Sequence, residues 1–138
     1  MDFTINGNLD DDRFAFLNVY VFNTETFDVC KDVTAIIDTG AQDCLVKRRL
    51  AKKMGLKSAG KLQELNPVGG TLECDYFIIG LVTDTANPLD AEKYVKLQVG
   101  ILEEESFPSD IILGGTFLRH CTFLYNGRGK IFELHIQL

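Results

Sequence analysis

The residues with the greatest chemical potential in this chain are Asp38, Thr39 and Gly40. A carboxylate can take or give a proton, a hydroxyl beside it can brace a loop, and a glycine lets backbone approach the charged group closely. Alone the triplet is weak evidence, since average residue usage yields one in roughly one chain in twenty of this length, so its setting decides its weight. It ends the apolar, β-branched run from Val33 to Ile37 and is followed by Ala41 and then by a stretch with helical spacing. A second apolar run, Ile111-Ile112-Leu113, stops in the same way at Gly114-Gly115. Asp84-Thr85-Ala86 is no substitute, since it lacks the glycine and lies in a polar segment. Cys30, Cys44, Cys74 and Cys121 form no C-x-x-C pair and only His120 and His135 could join them, so no metal site and no cofactor is expected. The thiols are expected to be reduced and mostly buried.

The elements that must position the triplet read mostly as strands. Residues 14–22 are aromatic and β-branched on both alternating faces, which predicts a strand covered on both sides, and residues 23–28 turn the chain. Val46, Leu50 and Met54 recur every four residues before Gly55, predicting an amphipathic helix over 46–54. Residues 57–70 read as a polar loop, 71–83 as a strand and 84–93 as a surface loop. Val95, Leu97, Val99 and Ile101 alternate cleanly, predicting a half-buried strand over 94–101. Residues 116–120 could add a helical turn, and strands over 122–125 and 130–136 flank Asn126-Gly127-Arg128-Gly129, a hairpin signal. Two similar strand-loop-helix units around one core are implied, in a single domain spanning 1–138 with a loosely ordered segment over 1–12.

Composition narrows the partners. At 138 residues the chain can bury a core without disulfides or metals. The net charge of -6 and pI near 4.8 oppose binding to a phosphate backbone, so no nucleic acid partner is expected. The basic cluster Lys47, Arg48, Arg49, Lys52 and Lys53 reads as a solvated helix face. The longest apolar run, Tyr76 to Val82, is far short of the ~18 residues of a membrane span, so no membrane partner is expected. The first thirteen residues are acidic, without the basic and apolar regions of a signal peptide, and a cytoplasmic location is expected.

The combination of Asp38-Thr39-Gly40 after an apolar strand with Ile112-Leu113-Gly114 and a following helical turn resembles the retropepsin-like aspartic peptidases, in order from Arg13 to Leu138. The resemblance implies a mostly β, single-lobe closed barrel of the acid-protease type with two short helices. It implies that Asp38 is catalytic, that the Thr39 hydroxyl ties two catalytic loops together across a dimer, and that the Gly40 amide supports the carboxylate. Ile112 and Leu45 would line an apolar pocket for a substrate side chain, and Asp43 would contact substrate main chain. Pro67-Val68-Gly69-Gly70 would be the tip of a mobile flap. The chain departs from the retroviral pattern at Gln42 and Gly115, where an Asp and an Arg usually pair, and this points to an alternative bracing. Its hairpin after Thr122 is longer than the retroviral tail and looks more like a pepsin lobe or the protease-like domain of the DNA-damage-inducible family.

The mechanism so implied needs two adjacent carboxylates and the chain offers one, so a homodimer acting on a peptide or protein substrate is expected. Phe132, Leu134, Ile136 and Leu138, on one face of a terminal strand, are the expected pairing surface. Ala41 replaces the serine or threonine of many acid-adapted members. Without that hydroxyl the carboxylate pair should keep its shared proton to higher pH, predicting activity from mildly acidic to near-neutral conditions. The alternatives are a catalytically silent module that binds peptides or dimerises with the same fold, and a small ligand-binding or structural β-barrel.

Overall fold

The structure, a computed structural model, describes residues 2–65, 68–82 and 94–137. The strands are β1 (Asp2–Asn8), β2 (Phe16–Asn23), β3 (Val29–Ile37), β4 (Cys44–Lys47), β5 (Gly60–Leu65), β6 (Thr71–Val82), β7 (Tyr94–Leu102), β8 (Ile111–Leu113), β9 (Cys121–Asn126) and β10 (Ile131–Gln137). Two short helices, α1 (Arg48–Lys53) and α2 (Gly115–Leu118), follow β4 and β8. The loop expected over 84–93, with Asp84-Thr85-Ala86, lies outside the described residues, as do Asn66, Pro67 and Leu138.

Six strands close into a barrel in the order β2-β3-β8-β4-β7-β6, with β6 pairing back onto β2. Closure leaves no open edge among them, and alternate residues of each strand fill the interior. Thus Val95, Leu97 and Val99 are buried along β7, and Val19, Val21, Ile79, Leu81, Val46, Ile111 and Leu113 meet in the same core. The expected alternation of β7 is present. The β2 strand is covered mainly on one face: Leu17, Val19 and Val21 are buried, whereas Asn18 is exposed and Phe16, Tyr20 and Phe22 are half-buried.

Pairing also makes strands where the local pattern gave none. Residues 60–65, expected as loop, form β5 because they run antiparallel to the outer half of β6, from Gly60 opposite Tyr76 to Leu65 opposite Thr71. They bury little, Leu62 being 40% exposed, so their order comes from backbone hydrogen bonds rather than an apolar face. Residues 2–8, expected as loosely ordered, form β1 against β10. The helix expected over 46–54 begins only at Arg48, since Val46 and Lys47 are held extended opposite Ile101 and Leu102 of β7. Its end is as expected: Gly55, at φ +65, donates its amide to the Lys52 carbonyl. In the basic cluster Lys47 is buried, while Arg48, Arg49, Lys52 and Lys53 are exposed.

β1, β10 and β9 form a second, three-stranded sheet against the barrel. Phe132, Leu134 and Ile136 of β10 point inward and are buried in the chain's own core. This corrects their assignment to a pairing surface, because a face already covered within one chain has no apolar area left to offer a second copy. No helix among the described residues is long and apolar enough to cross a membrane.

Candidate active site

The site is built where two parallel strands end side by side. β3 and β8 pair with Ala35 opposite Ile111, Ile36 opposite Ile112 and Ile37 opposite Leu113. One residue beyond the ladder, the Asp38 amide donates to the Leu113 carbonyl at 3.0 Å. The chain then turns tightly: the Ala41 amide donates to the Asp38 carbonyl at 3.2 Å and the Gly40 amide to Asp38 Oδ1 at 2.9 Å. Asp38 is half-buried, while Thr39 and Gly40 are exposed. An aspartate held this way, at its amide and at one carboxylate oxygen, has little rotamer freedom left to lose when it reacts.

The loop after Asp38 is braced by the second glycine motif. Gly115 donates its amide to the Ala41 carbonyl at 2.8 Å, and Thr116 donates its amide to the Gln42 carbonyl at 2.9 Å. The Gly114 amide donates to the Cys44 sulfur at 3.4 Å, and that sulfur lies 3.4 Å from the Thr116 hydroxyl. A Cβ at position 114 would fall 2.3 Å from the Asp43 carbonyl oxygen and 2.8 Å from that of Ala41, so only glycine lets the two segments meet. Gln42 and Gly115 thus stand in a backbone-to-backbone clamp.

Asp38 and Thr39 open into a cleft of about 650 Å³ walled by Phe14, Phe16, Ile36 and Phe107. Ile36, Ile112 and Leu45 occupy successive positions of one row across β3, β8 and β4. Ile36 reaches the cleft; Ile112, which is buried, and Leu45, half-buried, continue the row without walling it. Asp43 is exposed and borders a separate small recess with Tyr76, Gln98 and Thr116. The β5–β6 hairpin carries the expected flap tip, of which Val68, Gly69 and Gly70 are described. Val68 is 91% exposed, and Gly69 and Gly70 have φ of +113 and +76, a backbone that glycine alone adopts readily. None of these three residues lines the Asp38 cleft within one chain.

The aromatic wall is the part of the site that the sequence did not announce. Phe14 and Phe16 have the two-residue spacing of one strand face, but their place beside Asp38 depends on the β2–β3 register, which sets Phe16 opposite Ile36. Cys30, Cys44 and Cys121 are free thiols, the first two buried and the third half-buried. Burial, with a smaller contribution from Cys44, pushes the Cys121 thiol up to about 11, and burial likewise raises Cys30. Neither is a poised nucleophile. No cluster of metal-binding side chains occurs among the described residues.

A sequence profile described as aspartyl protease matches residues 22–117, well over half of the chain and including both glycine motifs. A search of curated protein sequences finds no match. Among solved structures, the fold is similar to that of a retropepsin-like aspartic protease from Rickettsia conorii, with a TM-score of 0.60 over 99% of this chain and 92% of that one, at 16% identity. The closed barrel, the two short helices and that likeness make the fold retropepsin-like, and the profile match shows that the chain belongs to the aspartyl protease family.

Proposed function

We propose that the chain is a homodimeric aspartic endopeptidase in which two copies of Asp38 meet across a twofold axis. The observation that carries the reading is the Asp38 carboxylate itself, oriented by the Gly40 amide at 2.9 Å and set at the side of an apolar cleft. Two carboxylates at close range cannot both ionise comfortably and share one proton, so they titrate as a pair. The ionised member takes a proton from a water molecule as that water attacks the scissile carbonyl carbon. The protonated member gives its proton to the carbonyl oxygen, and the tetrahedral intermediate forms with no bond to the enzyme.

The other residues take supporting parts in this reading. The Thr39 hydroxyl links the two loops across the axis, and Gly40 keeps each carboxylate in place. Ala41, which brings no hydroxyl to the pair, sets a working range from mildly acidic to near-neutral pH, suited to a cytoplasmic enzyme. Ile112 and Leu45 form an apolar pocket for substrate, Asp43 contacts substrate main chain, and Val68, Gly69 and Gly70 close over the peptide as a flap. The test is cleavage of a peptide library by the purified protein from pH 4 to 7.5, with Asp38→Asn and a statine-type transition-state mimic as controls. Cleavage abolished by both supports the reading; a library left intact at every pH, with dimer present, overturns it.

A further inference from the structure

The turn that brings Phe14 to the cleft is held by an unusual residue. Arg13 has φ +69, in the left-handed region that a non-glycine residue seldom occupies. That conformation closes the turn on itself: the Arg13 amide donates to the Asp10 carbonyl at 2.9 Å, the Phe14 amide to Asp10 Oδ1 at 2.8 Å, and the Asp10 amide to the Phe14 carbonyl at 3.0 Å. The C-terminal hairpin, whose Tyr125 lines the same cleft as Arg13 and Phe14, then grips it. Arg13 Nε donates to the Gly127 carbonyl at 2.9 Å, the Tyr125 hydroxyl donates to the Arg13 carbonyl at 2.8 Å, and the Leu9 amide donates to the Lys130 carbonyl at 2.8 Å. The Arg13 guanidinium also donates, through Nη1, to the Asp11 carbonyl at 2.9 Å. A residue held against its backbone preference by this many bonds marks a shape that the surrounding structure imposes.

What the turn presents is the Phe14 ring. It is 53% exposed, stands edge-on to Phe16 with ring centres 6.4 Å apart, and shares one cleft with Ile36 and Asp38. A large aromatic face left in water beside a reactive carboxylate gains most by covering an apolar side chain of a bound peptide. We propose that Phe14 is a specificity-determining residue, packing on a bulky apolar side chain next to the cut bond, and that Arg13 is its positioning residue, transmitting the hold of the C-terminal hairpin. This rests on the reading of the Asp38 cleft as a peptide site.

The measurement is a selectivity ratio, kcat/KM for a peptide with Phe beside the cut over the same peptide with Ala. A ratio within one preparation does not depend on the folded fraction, so a merely structural role for either residue leaves it unmoved. Phe14→Ala should lower the ratio about tenfold. Arg13→Gly, which suits φ +69 but removes the guanidinium, should lower it roughly threefold, and Tyr125→Phe, which removes one hydroxyl, about twofold. The same ratio is read for binding of the uncut peptides to Asp38→Asn protein, with and without each change. Cleavage with an unchanged ratio in all variants overturns the inference and leaves the peptidase reading standing. A fall in Phe14→Ala alone overturns the role of Arg13. No cleavage, but a binding ratio that falls as described, upholds the cleft assignment while the peptidase reading fails. An Asp38→Asn protein that does not prefer the Phe peptide overturns the inference.

Discussion

The Gly40 amide donates to Oδ1 of Asp38 at 2.9 Å, while the amide of Asp38 itself donates to the Leu113 carbonyl at 3.0 Å. Asp38 is therefore held by backbone groups both at its own main chain and at one carboxylate oxygen. Such a hold leaves the side chain few rotamers and so a defined direction.

Asp38→Asn should abolish peptide cleavage and leave fold and pairing in place. The asparagine oxygen can still accept from Gly40, but the amide cannot share or transfer the proton. A residual rate above about one hundredth of wild type, a loss smaller than ~2.7 kcal/mol of transition-state stabilisation, would remove Asp38 from the chemistry. Circular dichroism and sedimentation on the same sample check that only activity is lost.

Gly114→Ala and Gly55→Ala should differ in a way that backbone preference alone would not produce. At Gly55 the added methyl meets nothing within 4 Å and costs only its left-handed φ of +65, about 1 kcal/mol. At Gly114 it meets the Asp43 carbonyl oxygen at 2.3 Å and must part the two segments of the site, at about 3 kcal/mol or more. Denaturant midpoints of the two variants test the order, and equal midpoints would mean that the clamp yields easily.

A site completed by a second copy makes activity depend on concentration. Activity per chain should fall on dilution with the same midpoint that sedimentation equilibrium gives for the dimer. Constant activity per chain from a strictly monomeric species would overturn the two-copy site. Deleting 131–138 should unfold the chain rather than release a folded monomer, because Phe132, Leu134 and Ile136 are only 3%, 0% and 0% exposed.

The Cys121 thiol, raised by burial from 9.0 to about 11, links folding to alkaline pH. The unfolded chain ionises this thiol near 9 and the folded chain near 11, so the unfolded state holds fewer protons between those values. Stability from this group is complete below pH 9 and declines as pH rises towards 11. Urea midpoints from pH 8 to 11 should show a steeper fall in wild type than in Cys121→Ala, and parallel curves would contradict the assignment.

Where the determinants are local, the elements and turns were legible in the amino acids. Asp38-Thr39-Gly40 after a β-branched run, Gly114-Gly115 after another, the alternation of Val95, Leu97 and Val99, and Gly55 closing α1 each depend on residues within a few positions of one another. Such signals lie in side-chain periodicity and in the special backbone of glycine, both of which survive in a linear string. The third dimension decided everything set by partners distant in the chain. β1 and β5 are strands because β10 and β6 complete their hydrogen bonds, not because of their own apolar pattern. The same apolar face of β10 that could have paired two copies is consumed inside one, since only packing decides which of two available surfaces a face covers. The aromatic wall beside Asp38 exists because the β2–β3 register sets Phe16 opposite Ile36, and a shift of one residue would turn that ring to the other side of the sheet.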